Sequence, residues 1–254
     1  MAAEKVGAGN GNRLGVELLW GEQERPSRGP KRGLSIEGIV GAAVKIADGE
    51  GLGAVSMQRV ATEFGFTTMS LYRYVPGKTQ LISLMTDAAL ATPPVLGEMP
   101  GGWRPRMEEW ARQFWMVFHR HPWLLDVNTH DRLTGPNEMG WLESAVRALS
   151  DTGLNGSEQV DAVLVVNGHV RNWAQYSVDM ERGEKDVTGE QWGSAVGMLV
   201  EKHSDRYPAL MEAMAAGAFS VAEGQGQEFG LRCVLDGIGV LIDERVSTAD
   251  SAGE

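Results

Sequence analysis

The densest run of side chains able to bond a base edge or a phosphate lies in SMQRVATEFGFTTMSLYRY, residues 56–74. Thr67, Thr68, Ser70, Tyr72, Arg73 and Tyr74 crowd hydroxyls, two aromatic rings and a guanidinium onto one short stretch. Such a surface makes a poor core face and a good groove reader, because hydroxyls and Arg bond base edges and phosphates. Lys78 follows at the start of a further apolar helix, where an ammonium beside exposed helix N–H groups suits a phosphate. No comparable set points to catalysis. His119 and His121 are two residues apart, on different helix faces, and no carboxylate or third histidine completes a metal set. His130-Asp131 and His169 have no GxSxG serine or cysteine to activate. GEGLGA, residues 49–54, fits GxGxxA in form but follows a helical pattern and not a strand, and no Walker lysine loop occurs. The expectation is a protein with no catalytic residues, no metal and no cofactor.

Two helices crossing steeply through a short turn would hold the reading surface out. They need a small residue where they touch and a turn residue able to reach positive φ. Ala61 supplies the first and Gly65 the second, and Val60, Phe64, Phe66, Leu71 and Tyr74 fall where the facing residues belong. A generic helical hairpin is the alternative. Ser35 is a plausible N-cap for a preceding helix carrying Ile36, Ile39, Val40, Ala43, Val44 and Ala47, which Gly49 and Gly51 stop. Ser56 starts the second helix, and the third runs from about Thr67 or Thr68 to Tyr74. A fourth begins near Lys78 and ends before Pro93-Pro94.

Beyond these the segments lengthen. Met107, Trp110, Ala111, Phe114, Trp115 and Phe118 form a wide apolar stripe on a helix from Trp103 to about Arg120, which His121-Pro122 ends. Further helices are expected at about 123–130, 137–151, 157–182, 189–203 and 228–246. No sustained period-2 alternation is present, so the fold class is all-α: a three-helix helix-turn-helix unit followed by a larger helical bundle. The expected divisions are 1–34, a flexible basic arm in which Leu18-Leu19-Trp20 could dock locally; 35–90, the helix-turn-helix unit; 91–246, the bundle; and 247–254, a flexible tail.

The chain has 254 residues, a formal charge of -11 and one cysteine, Cys233. That length suits one large or two modest domains. One cysteine allows no internal disulfide and no Cys-rich zinc site, which suggests a cytoplasmic protein, and Cys233 reads as a small core residue. No stretch of about 18 uncharged apolar residues occurs, so no membrane span is expected. The opening MAAEKVGAGNGNR lacks the apolar region of a signal peptide. Evenly spread, the negative charge would argue against nucleic acid. It is not evenly spread. Residues 1–78 carry ten Lys/Arg against eight Asp/Glu, and the remainder 13 against 26. Arg25, Arg28, Lys31 and Arg32 form one basic run that reads equally as an arm along DNA and as a solvated tail.

The run GLGAVSMQRVATEFGFTTMSLYRYVPGKTQLISLM, Gly51 to Met85, resembles the DNA-binding domain of TetR-type transcriptional repressors, above all in LYRYVPGK and the apolar helix after it. From about Pro94 to Val246 the chain is similar in length and pattern to the tetracycline-repressor-like ligand-binding and dimerisation domain. The resemblance implies a homodimer, a palindromic double-stranded operator, and release from DNA when a small molecule occupies the C-terminal domain. It also implies base or phosphate contacts from Thr68, Ser70, Tyr72 and Tyr74, a phosphate-binding Lys78, and a base-reading position at Gln58. Met69 stands where the family often has a polar residue or proline, and a thymine methyl contact would suit it.

One short reading helix touches few base pairs, so specificity calls for a second copy one helical turn away. The expected seam is the last helix, with Leu231, Val234, Leu235, Ile238, Leu241, Ile242 and Val246 as its stripe and Gly230, Cys233 and Gly237 allowing close approach, paired with the helix at 157–182. Burial of that stripe within one subunit is the alternative. Phe114, Phe118, Trp141 and Trp173 are the candidate walls of an effector pocket, with Asn167 and Arg171 as its polar groups, and the implied effector is flat or aromatic. The bland reading of Asn167 and Arg171 is an interfacial polar pair. Two other functions stay open: a DNA-bound regulator that answers to a protein partner, and a helical enzyme. Operator, effector, regulated genes and the sign of regulation are not legible.

Overall fold

The structure, a computed structural model, describes residues 15–21, 34–128, 132–182, 189–218 and 225–252. Arg25, Arg28, Lys31, Arg32 and the pair His130-Asp131 lie outside the described residues. Ten helices follow one another from Ser35 onward among the described residues, and these contain no strand.

The first four form a compact unit. Helix α1 (Ile36–Glu50) starts where Ser35 Oγ accepts the Gly38 N–H at 3.0 Å. It runs through Gly49 and stops only at Gly51, whose φ of 83° suits glycine. A 3-10 turn (Leu52–Ala54) leads to α2 (Met57–Glu63), capped by Ser56, and a single helical turn, α3 (Thr68–Leu71), crosses it. Helix α4 (Lys78–Ala89) packs back along α1. Ile39, Ala43, Val55, Val60, Leu71, Val75 and Leu81 close the small core between them.

The larger body is built on α5 (Trp103–Arg120), α6 (Pro136–Ala148), α7 (Gly156–Arg182) and α10 (Gln225–Ala252). Helix α7 is its spine, in contact with α5, α6 and α10. Helices α8 (Gly189–Lys202) and α9 (Pro208–Ala215) pack on each other as a hairpin.

The structure departs from the sequence reading at three places, while the local docking expected of Leu18-Leu19-Trp20 fits a buried Leu19. Among the described residues of the stretch expected at 123–130, helix is confined to the 3-10 turn Pro122–Asp126. Helix α9 was not foreseen, although Pro208 at its first turn is a helix start. Helix α10 runs to Ala252, through most of the stretch expected as a tail, and Ser247 and Thr248 bond back to its carbonyls. Within the expected arm, residues 15–20 are helical and Leu19 is buried. A Cβ at Gly15 would stand 2.9 Å from Leu133 and 3.3 Å from Gln80, which shows where this segment docks.

Candidate nucleic-acid interface and effector region

The reading surface is aimed by the turn between α2 and α3. Gly65 takes φ 68°, which lets the Phe66 N–H reach back to Ala61 O at 3.0 Å and the Gly65 N–H to Thr62 O at 3.0 Å. Arg59, on α2, bonds Glu63 at 2.7 Å and Glu50 at 3.0 Å, tying α2 to the end of α1. Leu71 and Val75 are fully buried and pin α3 from beneath. Phe64, Phe66 and Tyr74, expected among the facing residues, are instead exposed, because Val75 and Met57 supply the contacts.

The residues expected to contact DNA lie on α2, on α3 and the residues flanking it, and at the start of α4. Gln58, Thr67, Tyr72, Arg73, Tyr74 and Lys78 are exposed, and Thr68 and Ser70 half-buried. Thr67 and Ser70 share a hydroxyl–hydroxyl bond of 3.2 Å across the first turn. No ion pair occupies Arg73 or Lys78 among the described residues, so both cations face solvent uncompensated. Gly77 precedes Lys78 in extended conformation with no side-chain cap, which leaves the first N–H groups of α4 open beside the ammonium.

Polar bonds fix this unit to the body. Asp48 Oδ1, on α1, accepts from Trp123 Nε1 at 2.7 Å and sits 2.7 Å from His121 Nδ1. Ser83 Oγ, on α4, accepts the Leu133 N–H at 3.2 Å. Asp87 caps α6 from α4: its Oδ1 accepts the Asn137 N–H at 2.8 Å and the Glu138 N–H at 3.2 Å, and Asn137 Nδ2 donates to its Oδ2 at 3.0 Å. Burial nevertheless pushes the Asp87 carboxyl up, outweighing those donors. Gly135 is required there, since a Cβ would stand 2.2 Å from Asp87 Oδ1.

Of the six candidate effector residues, the structure brings three together. Phe114 lies 4.9 Å from Phe118 and 5.0 Å from Trp141 between ring centroids. Trp110, which sequence reasoning left out of the set, joins them at 5.0 Å from Phe114 and donates Nε1 to Trp141 O at 3.0 Å. Its place in the apolar stripe of α5 was the available signal. Trp141 Nε1 in turn donates to Leu90 O at 3.1 Å, at the end of α4. Trp173 pairs instead with Tyr176 at 5.3 Å. Arg171 is committed to the 3-10 turn, donating to Leu125 O at 2.6 Å, and burial lowers its pKa. Among the described residues the buried Asn167 Oδ1 has no hydrogen-bond partner. Two clefts, of about 470 Å³ at Lys78, Ile82 and Arg132 and about 360 Å³ at Pro94, Arg106 and Arg147, lie elsewhere.

Among the described residues, no group of three or more His, Cys, Asp or Glu could hold a metal. His119 bonds Trp115 O and Ser177 Oγ. No described helix is long and apolar enough to cross a membrane.

Comparison with known proteins adds the following. The family described as bacterial regulatory proteins, tetR family, matches residues 39–85, and the tetracyclin repressor-like C-terminal domain matches residues 96–242. The chain is 40% identical over 251 residues to the HTH-type transcriptional repressor DrrR1 of Streptomyces coeruleorubidus, covering 96% of this chain and 91% of that protein. The apo structure of ActR from Streptomyces coelicolor is similar with a TM-score of 0.72 at 26% identity, covering 85% of this chain and 99% of that one. ActR in complex with actinorhodin gives a TM-score of 0.69 at 26% identity, with 82% and 96% covered.

Proposed function

The chain belongs to the tetR family of bacterial regulatory proteins and is a transcriptional repressor of that family, and from this premise we propose that it binds a palindromic operator as a cytoplasmic homodimer and leaves it when a small effector binds. The observation that carries the reading is the outward face of α3 and the start of α4. Tyr72, Arg73, Tyr74 and Lys78 are exposed and uncompensated on a unit pinned from beneath. Gln58, Thr67, Thr68 and Ser70 complete the contact surface.

A second copy gives that surface its specificity. Helices α7 and α10 each keep an apolar face in solvent, Leu164 and Val165 on one and Phe229, Val240 and Leu241 on the other. The face on α10 shares only Leu241 and Val246, both exposed, with the stripe read from the sequence. Leu235, Ile238 and Ile242 of that stripe are buried within the subunit against the core. Cys233 lies on the exposed side, so it is no core residue, and Gly230 abuts the His169 ring of its own chain. The two exposed faces suit a four-helix interface about a twofold axis.

The effector reading draws on the aromatic cluster of Phe114, Phe118 and Trp141, on the unpartnered Asn167 Oδ1, and on likeness to ActR, whose structures hold actinorhodin and (S)-DNPA. Arg171 and Trp173 enter this reading only if an effector displaces their present partners. The test is a mobility-shift titration on the chain's own promoter fragment at several salt concentrations. Tyr72→Ala with Lys78→Ala should abolish the shift, and Lys78→Ala alone should reduce the salt slope by about 1 per protomer. Unchanged affinity and slope in the double variant would overturn the assignment of α3.

A further inference from the structure

One reading-surface residue has no polar group to offer. Met69 is 73% exposed, second in α3, with its flanks set by Thr68 and Ser70. Nothing among the described residues covers it. Its direction is not free, because Leu71 and Val75 are fully buried and hold the single turn of α3 to the core, leaving Met69 on the opposite side. Helix position decides what such a residue meets, for the N-terminal residues of a recognition helix are those that reach base edges in the major groove. Two hydroxyls of this turn, those of Thr67 and Ser70, already bond each other at 3.2 Å, which reduces their freedom to satisfy a polar base edge beside Met69. The surroundings are cationic, with Arg73 and Lys78 exposed and unpaired among the described residues, which favours a polyanion over a protein surface.

A major groove is lined by hydrogen-bonding groups except at one kind of place, the C5-methyl of thymine. We infer that Met69 is a specificity residue that packs its thioether on a thymine methyl in each operator half-site. The inference rests on the DNA-reading role of α3 proposed above. A flexible, polarizable thioether adapts to a methyl without demanding one rotamer, and the contact removes from water a side chain the fold leaves wet.

The experiment selects duplexes from a random pool with the wild-type chain and with Met69→Ala, whose exposed position leaves folding unaffected. Each thymine of the selected half-site is then replaced in turn by deoxyuridine, which removes only the methyl. One replacement should weaken wild-type binding about 4-fold per half-site and about 15-fold when made in both, the loss for one buried methyl each. Met69→Ala should bind the thymine and deoxyuridine duplexes equally, and Met69→Leu should restore the discrimination. A consensus in which no thymine is methyl-sensitive, or one whose sensitivity persists in Met69→Ala, overturns the inference and leaves the DNA-reading role standing. A gain on replacing cytosine by 5-methylcytosine that depends on Met69 would place the side chain over cytosine and overturn the thymine assignment. If the wild-type chain selects no consensus, the role of α3 itself falls.

Discussion

Replacing Trp141 by Phe should weaken the bond that joins the end of α4 to the aromatic cluster. Leu90 O lies where a helix would use the N–H of residue 94 or 93, and both are proline, with no N–H to give. Trp141 Nε1 supplies the missing donor at 3.1 Å, and both partners are buried. Removing the donor strands a buried carbonyl, at a cost of about 1–3 kcal/mol. The smaller ring adds a cavity cost, so the two effects need separating. Incorporation of 3-benzothienylalanine at position 141 keeps the shape of the indole and removes only the N–H. Urea denaturation followed by helical circular dichroism, at fixed protomer concentration, should place this isostere about 1–3 kcal/mol below wild type and Trp141→Phe lower still. Fixed concentration matters because the stability of the proposed dimer would depend on it. If the isostere keeps the wild-type midpoint, Leu90 O does not depend on Trp141, and the link from cluster to α4 is packing alone.

Gly135→Ala should cost about 1–2 kcal/mol in the same assay, because its Cβ would stand 2.2 Å from Asp87 Oδ1 and must drive the cap off α6. Added to Asp87→Ala it should cost almost nothing, and additive costs would show that the cap survives. Asp87→Asn tests the titration. Burial raises the folded pKa of Asp87, so the folded protein holds that proton more tightly than the unfolded chain. Its contribution is therefore full below the ordinary carboxylate pKa and lost as pH rises through the raised value. The stability of wild type relative to Asp87→Asn should fall across that window, and a flat or rising difference would refute the direction. Asp48→Ala should cost about 1 kcal/mol, the low end for a stranded donor, since the Asp48 side chain is 33% exposed and water can reach Trp123 in its place. In a Trp123→Phe background the Asp48→Ala cost should shrink, and strict additivity would show that the two do not interact.

The reading unit was legible because its determinants are local. Ser35 and Ser56 cap, Gly65 turns and Leu71 anchors within a few residues of the segments they shape. The errors lie where a distant part of the chain decides. Residues 123–130 have helical composition, but Arg171 takes the carbonyl of Leu125 that a continuing helix would spend on its own backbone. Helix α9 has no buried residue, so it lacks the two-faced pattern that announces a helix. On α10 the apolar residues occupy two faces, one against α7 and one in solvent, and periodicity alone does not say which is inside. The cluster of Phe114, Phe118 and Trp141 could be named from aromatic content, whereas the commitment of Arg171 and the pairing of Trp173 with Tyr176 depend on tertiary placement.

The same distinction bears on how the halves communicate. Asp48, Ser83, Asp87 and Leu90 each join the first four helices to the body by a directed bond, three of them spaced along α4 and its end. Apolar packing tolerates a small slide, but a carboxylate holding the N–H groups of Asn137 and Glu138 does not. The proposed pair of readers, one helical turn apart, would need such a fixed register. These bonds also set how much the proposed effector would have to supply, for it could move α4 only by its difference in affinity between the two arrangements. The formal charge of -11 fits that division: the acidic body discourages loose attachment to DNA, and affinity is left to a reading face with Arg73 and Lys78 exposed, whose orientation the body controls.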